Sequence, residues 1–269
     1  MGNLITFAGG FFLAAKGVIN FQLFLIAFIG LAFIMASGCV FNNYIDRQID
    51  KKMGRTKNRA LVIGLISGCN ALLFATLLGV IGNLLLFTYT NLLTAFVADS
   101  GLFVYVILYS LWKSRTIYAT AIGSIAGAVP PVVGYCAVSN QLDLGALILF
   151  AMLVLWQMPH FFSIALYHFD DYKAAGVPVL PVMRGVLRTK IHMIVYIVCF
   201  VVTASLLTYF HYTGYLYLSV VVCMGLAWLG LCVKGFFVED ADDQLWGRHM
   251  FILSLVLITA ICLVIPFDV

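Results

Sequence analysis

The chain has 269 residues, 64% of them hydrophobic and only 10% charged, with a formal net charge of +4. Soluble domains are about half apolar and about a quarter charged, so this composition excludes a soluble globular fold and implies an integral membrane protein. The small positive balance comes with no RNA- or DNA-binding motif, which excludes nucleic acid as a partner.

Apolar runs cover roughly residues 4–15, 21–41, 62–87, 92–112, 117–138, 144–166, 191–210, 214–233 and 249–266. A helix needs about 20 residues to cross hydrocarbon, and most of these runs supply them. The first run is too short, and it lacks the basic start and small-residue cleavage site of a signal peptide. Its helix is expected to begin upstream of Met1, or the chain to be trimmed. The expected fold is all-α: a polytopic bundle of about nine transmembrane helices around a central cavity, one domain over residues 1–269.

Basic residues fix the orientation. Arg47, Lys51, Lys52, Arg55, Lys57 and Arg59 follow run two, Lys113 and Arg115 run four, Lys173, Arg184, Arg188 and Lys190 run six, and Lys234 and Arg248 run eight. That is 14 of the 15 Lys and Arg residues, leaving only Lys16 on the other side. By the positive-inside rule the crowded face is cytoplasmic. Dropping an internal span would put later basic loops on the wrong face. Eight of the eleven acids share that side: Asp46, Asp50, Asp170, Asp171, Glu239, Asp240, Asp242 and Asp243. The seven cysteines lie in or at the edge of apolar runs without metal spacing, as helix-packing residues do.

Run two ends in FNNYIDRQIDKKMGRTKNRAL, residues 41–61. Asn42, Asp46 and Asp50 are spaced i, i+4, i+8, so a continuing helix sets them in one stripe. Oxygen side chains in that register suit a hard cation such as Mg²⁺, which takes one or two carboxylates together with waters and substrate phosphates. Lys51, Arg55 and Arg59, with Lys113 and Arg115 on a neighbouring loop, would attract a phosphate to acids holding a metal. A solvated helix end with stop-transfer basic residues accounts for the arginines but not for the Asn/Asp register.

Further along, Asp99 lies well inside run four, where a carboxylate is a functional suspect. Its distance from other charges favours a hydrogen-bonded or outward-snorkelling residue. Run five holds Gly123, Gly127, Pro130, Pro131 and Gly134, residues suited to close helix packing and to a broken helix beside a cavity. Run six carries LWQMPHFF: Trp156, Gln157 and His160 near its cytoplasmic end, with Pro159 placed to kink the helix. The polar pair Gln157 and His160 reads equally as packed hydrogen-bonding groups or as a functional wall. The next loop, HFDDYKAAGVPVLPVMRGVLRTK, repeats the pattern of acids after a span with Asp170 and Asp171. Facing the first cluster, these acids would hold a second cation on one diphosphate; an ordinary Gly- and Pro-rich polar loop looks similar.

Asn42-x-x-x-Asp46-x-x-x-Asp50 resembles the first signature of the intramembrane prenyltransferases of the UbiA superfamily, and Tyr109-x-x-x-Lys113 is similar to its smaller third motif. The segments NNYIDRQIDKKMGRTKNR, WQMPHF and DYKAAGVPVLPV resemble the branch that modifies heme, and the likeness runs from about Gly2 to Asp243. The resemblance implies a nine-helix bundle around a lipid-open cavity and transfer of farnesyl from farnesyl diphosphate to a vinyl group of heme b. It implies catalytic roles for Asn42, Asp46, Asp50, Asp170 and Asp171, with Mg²⁺ held by Asn42, Asp46, Asp50 and Asp171. Lys51, Arg55, Arg59, Tyr109, Lys113, Arg115 and Lys173 would bind the diphosphate, and Trp156, Gln157 and His160 the heme. The chain also departs from the family pattern. Ala174 and Ala175 stand where many members complete a second acidic motif, Gln48 stands where an acid is frequent, and Ala60 where a proline is. The Lys-Pro-Gly segment that usually opens the first helix is absent. An aromatic acceptor such as a quinone precursor is the alternative within the class. A secondary transporter and a purely structural membrane subunit are the alternatives outside it. With no mitochondrial targeting segment, the expected location is a bacterial inner membrane, with the site facing the cytoplasm.

Overall fold

The computed structural model describes residues 2–237, 239 and 242–269; Met1 and Asp240 lie outside them. Among the described residues every regular element is a helix. In chain order they are α1 (Gly2–Ala15), α2 (Phe21–Asp50), α3 (Gly68–Tyr89), α4 (Leu92–Phe103), α5 (Ser110–Trp112), α6 (Ala119–Gly127), α7 (Val129–Ser139) and α8 (Leu144–Tyr167). There follow α9 (Phe169–Ala175), α10 (Leu180–Arg184), α11 (Val186–Tyr209), α12 (Tyr215–Lys234) and α13 (Asp243–Val264). Among the described residues eight helical stretches are long and apolar enough to cross a membrane, and α1 is a ninth, shorter apolar helix. With α4 and α5 joined by a π-helical turn, and α6 and α7 meeting at Ala128, the order matches the nine runs.

Small residues set the helix spacing, since lipid gives helices no hydrophobic reason to associate. A side chain at Gly82 would meet the Gly30 carbonyl at 2.6 Å, so α2 and α3 cross with their backbones nearly touching. Gly10 and Gly134 do the same for α1 and α7, lying against the carbonyls of Pro131 and Phe7. Beyond this crossing the space between α1 and α2 is filled by Phe7, Phe11, Phe12, Phe24 and Phe28, whose rings stack and tilt on one another. Leu73, Phe74, Leu84 and Phe87 of α3 are exposed, as lipid-facing residues are.

The basic loops gather on one face, as contacts between them show. Asp171 accepts from the Gly54 N–H, Gln244 donates to Asp170, and Lys113 pairs with Asp46. On the same face the buried Lys190 ties α11 to its neighbours, donating to the Gly235 carbonyl at 2.7 Å and pairing with Asp243 at 2.5 Å. Asp99 faces outward and accepts from the Asn83 side chain at 2.6 Å, the hydrogen-bonded role its isolation favours.

Candidate active site

A cavity of about 480 Å³ begins among the basic loops and runs inward beside α2. Its head is polar: Asn42, Asp46, Asp50, Arg55, Arg59, Lys113 and Tyr172. Its body is apolar, with Leu31, Ile34, Met35, Leu102 and Val129 among the lining residues. One helix supplies both ends, because α2 continues unbroken from Phe21 to Asp50.

The last turns of α2 carry the acids. Asp46 and Asp50 are only 3% and 4% exposed, so unpaired charge there would be costly. Arg59 donates to Asp50 at 2.8 Å and to Asn43 at 3.0 Å, folding the following loop back onto the helix. Lys113 pairs with Asp46 Oδ2 and stands 3.4 Å from Asn42 Oδ1, which also accepts from Ser110 at 3.0 Å. Burial pulls the Lys113 ammonium down to about 8. The oxygens of Asn42 and Asp46 thus converge on one cationic point.

Those oxygens fit a hard divalent cation. Asp46 Oδ1 is buried with no hydrogen-bond partner, an acceptor left over after Lys113 is satisfied. No cluster of three or more His, Cys, Asp or Glu side chains forms a cage among the described residues. The protein would therefore hold such an ion through Asn42 and Asp46, with substrate oxygens completing the shell. Asp50 belongs to the same stripe but is engaged by Arg59.

Opposite α2, the π-helical turn Val104–Tyr109 places two tyrosines on the wall. The rings of Tyr105 and Tyr109 stack at 5.7 Å, only 10° from parallel, and Lys113 lies 5.6 Å from the Tyr109 ring. The Ser110 hydroxyl, whose one proton goes to Asn42, also lies 3.0 Å from the Tyr105 carbonyl, which already accepts from the Ser110 N–H across the wider turn. Such turns recur at functional sites because they re-aim side chains within a helix. The sequence reading includes Tyr109 and misses Tyr105; the four-residue rhythm Tyr105, Tyr109, Lys113 is the available signal.

On α8 the three expected residues part company. Gln157 lines the cavity, and only a glycine opposite admits it, since a side chain at Gly127 would overlap the Gln157 amide. Trp156 and His160 do not line it, which corrects their expected place on a substrate wall. They point to α13: Trp156 donates to the Ser254 carbonyl at 3.1 Å, and His160 Nδ1 lies 2.7 Å from Ser254 Oγ. The cause is helix geometry, since one residue on a helix turns the side chain by about 100°. Phe161, one position beyond His160, takes the cavity-facing place instead.

The second acidic loop does not mirror the first. Asp170 is exposed and bonded to Gln244, so it turns away from the cavity. Asp171 caps the Gly54 N–H at 3.1 Å, and Arg55 donates to Tyr172 at 3.5 Å. These contacts lash the loop after α2 to α9 across the cavity mouth. Burial pushes the Tyr172 phenol up, against the nearby Arg55 charge, so it stays neutral. Lys51, Arg115 and Lys173 are exposed and do not line the cavity, while Arg55, Arg59, Tyr109 and Lys113 do.

A polytopic helical membrane protein with a cavity charged at its head and apolar along its body is of a class built for amphiphilic substrates. The chain belongs to the UbiA prenyltransferase family, whose profile matches residues 3–256. It is 57% identical to a protein named protoheme IX farnesyltransferase from Protochlamydia amoebophila over 268 residues, covering 100% of this chain and 94% of that one. Proteins of the same name from Edwardsiella ictaluri and Pseudomonas syringae pv. tomato are 50% and 51% identical, each over 99% of this chain and 90% of theirs. Among solved structures, a digeranylgeranylglyceryl phosphate synthase superposes with a TM-score of 0.80 at 18% identity, over 98% of this chain and 93% of that one. A UbiA homologue from Archaeoglobus fulgidus bound to GPP and Mg²⁺ gives 0.72 at 15% identity, over 99% and 95%. These two likenesses show the fold.

Proposed function

We propose that this protein transfers the farnesyl group of farnesyl diphosphate to a vinyl group of heme b. The observation that carries the reading is the cavity, whose head gathers Asp46, Arg55, Arg59 and Lys113 while its body offers an apolar trough. The relatives named protoheme IX farnesyltransferase, half or more identical along the whole chain, support heme as the acceptor rather than a quinone precursor.

Diphosphate enters the polar head, where Lys113, Arg55 and Arg59 meet its oxygens with charge-assisted hydrogen bonds. Asn42 and Asp46 would hold Mg²⁺, which when bound supplies Lewis-acid neutralisation of the leaving group's charge. The farnesyl C1–oxygen bond breaks, and the electron pair leaves with diphosphate. Tyr105 and Tyr109 present ring faces to the allylic cation, and the apolar wall keeps water from it. The vinyl carbon of heme attacks C1, water adds to the cation left on the vinyl group, and one proton is released. The product is the hydroxyethylfarnesyl heme. Gln157 and Phe161 form the wall against which the acceptor orients.

The basic face is cytoplasmic by the positive-inside rule, in a bacterial inner membrane, so both substrates arrive from that side. Detergent-purified protein given farnesyl diphosphate, Mg²⁺ and heme b should release diphosphate and yield a heme heavier by a farnesyl group and a hydroxyl. Diphosphate release with a quinone precursor but not with heme would move the acceptor to the other branch.

A further inference from the structure

We infer that the cavity gauges prenyl chain length, with Leu31 and Ile34 marking where the terminal isoprene unit stops. The inference rests on the prenyl diphosphate reading above and adds the residues that select fifteen carbons.

Because α2 is continuous, depth can be counted along it. From Asp46, Ile34 lies 12 residues deeper and Leu31 15, or about 18 Å and about 22 Å at 1.5 Å per residue. The twelve-carbon main chain of a farnesyl group spans about 14 Å extended, with zigzag bonds of about 1.5 Å. The diphosphate and its ester oxygen set C1 about 4 Å beyond the acid, at similar bond lengths. The terminal unit then stops level with Ile34, and one more isoprene unit would overrun Leu31.

At that depth the cavity narrows between α2 and the start of α1, whose Asn3 also lines it. Leu31 and Ile34 both line the cavity and are each only 2% exposed. Behind them stands the phenylalanine cluster of α1 and α2, in which Phe7 and Phe11 are 0% and 1% exposed. No residue of α2 before Leu31 lines the cavity. Above the floor the walls are small instead: Gly38 on α2, and Ala98 and Gly101 on α4, flank the trough. The channel is therefore open beside the chain and blocked at its tip.

The test measures Mg²⁺-dependent binding of non-hydrolysable geranyl, farnesyl and geranylgeranyl diphosphate analogues to the purified full chain, with no heme present. The wild type should bind the fifteen-carbon analogue at least about tenfold more tightly than the twenty-carbon one, a difference of about 1.4 kcal/mol. Leu31→Ala should bring the two within about threefold. Ala98→Leu, which narrows the trough, should shift preference to the ten-carbon analogue. Ile34→Val is the milder variant if Leu31→Ala does not fold, and it should shift the ratio in the same direction. Equal wild-type affinity for fifteen and twenty carbons overturns the gauge, as do ratios unmoved by these variants while farnesyl binding persists. Failure of every analogue to bind the wild type overturns the prenyl diphosphate reading along with it. Failure of heme as acceptor leaves this measurement untouched.

Discussion

The ammonium of Lys113 rests on the carboxylate of Asp46 and stands 3.4 Å from the amide oxygen of Asn42. A residue after the fourth span thus neutralises a residue at the end of the second, and Asp46 keeps one buried oxygen without a partner. A buried carboxylate in that condition is prepared for a stronger cation than the one it holds. Lys113 is then free to follow the diphosphate oxygens, so one side chain serves as counterion before substrate arrives and as clamp afterwards.

Lys113→Met should therefore affect the two ligands oppositely. Prenyl diphosphate analogues lose a charge-assisted hydrogen bond of about 1.5–3 kcal/mol, so their affinity should fall about tenfold to a hundredfold. Mg²⁺ alone loses a competitor and should bind at least as tightly as before. Titration calorimetry with each ligand separates the effects. Equal weakening of both would make Lys113 a structural prop.

Asp46→Asn keeps the size of the side chain and removes its charge. Turnover should fall by at least about a hundredfold, the scale expected when preorganised electrostatic stabilisation is lost. Asp99→Asn is the control: it faces outward against Asn83, where an amide can replace the carboxylate. Its steady-state rate should stay within about twofold of wild type. Comparable damage from both changes would place chemistry outside the cavity.

Gly127→Ala tests how the cavity wall is assembled. The new methyl would overlap the Gln157 amide, so Gln157 must leave its place. Heme-dependent turnover should fall about tenfold or more, the cost of a misplaced wall. Affinity for a farnesyl diphosphate analogue should change by less than about threefold, because the head of the cavity is built by other helices. A loss confined to the analogue would reverse the assignment of the two ends.

Much of the architecture is legible without coordinates, because a membrane span is written in a single long apolar run. The register Asn42, Asp46, Asp50 is equally legible, since it needs only that α2 continue to Asp50, as it does. What stays hidden depends on rotation and on partners distant in sequence. Gln157 and His160 share one apolar run and lie only about 60° apart around the helix, yet one reaches the cavity and the other Ser254. Asp170 and Asp171 are adjacent, but only the second reaches the loop after α2. Tyr105 escapes notice because its four-residue spacing to Tyr109 is an ordinary helical step inside an apolar run.

The α8 pair gives the sharpest contrast. His160 is buried, stacked on Trp156 at 4.6 Å and close to Phe251, with Ser254 as its polar partner. Truncating it leaves a hole between α8 and α13, and filled-to-empty changes of this kind cost a few kcal/mol. His160→Ala should therefore lower the unfolding temperature by several degrees. Heme affinity of the folded fraction should stay within about threefold, because the ring lies behind the wall rather than in it. Gln157→Leu should do the reverse. It keeps the volume and removes the one α8 amide facing the cavity, so stability should hold while heme affinity falls about tenfold, the worth of a good polar contact in a dry site. Thermal scanning and heme absorbance titration on the same preparations read both quantities. Wild-type stability together with lost heme binding in His160→Ala would show that the histidine turns toward the substrate, and its pairing with Ser254 would have to open during turnover.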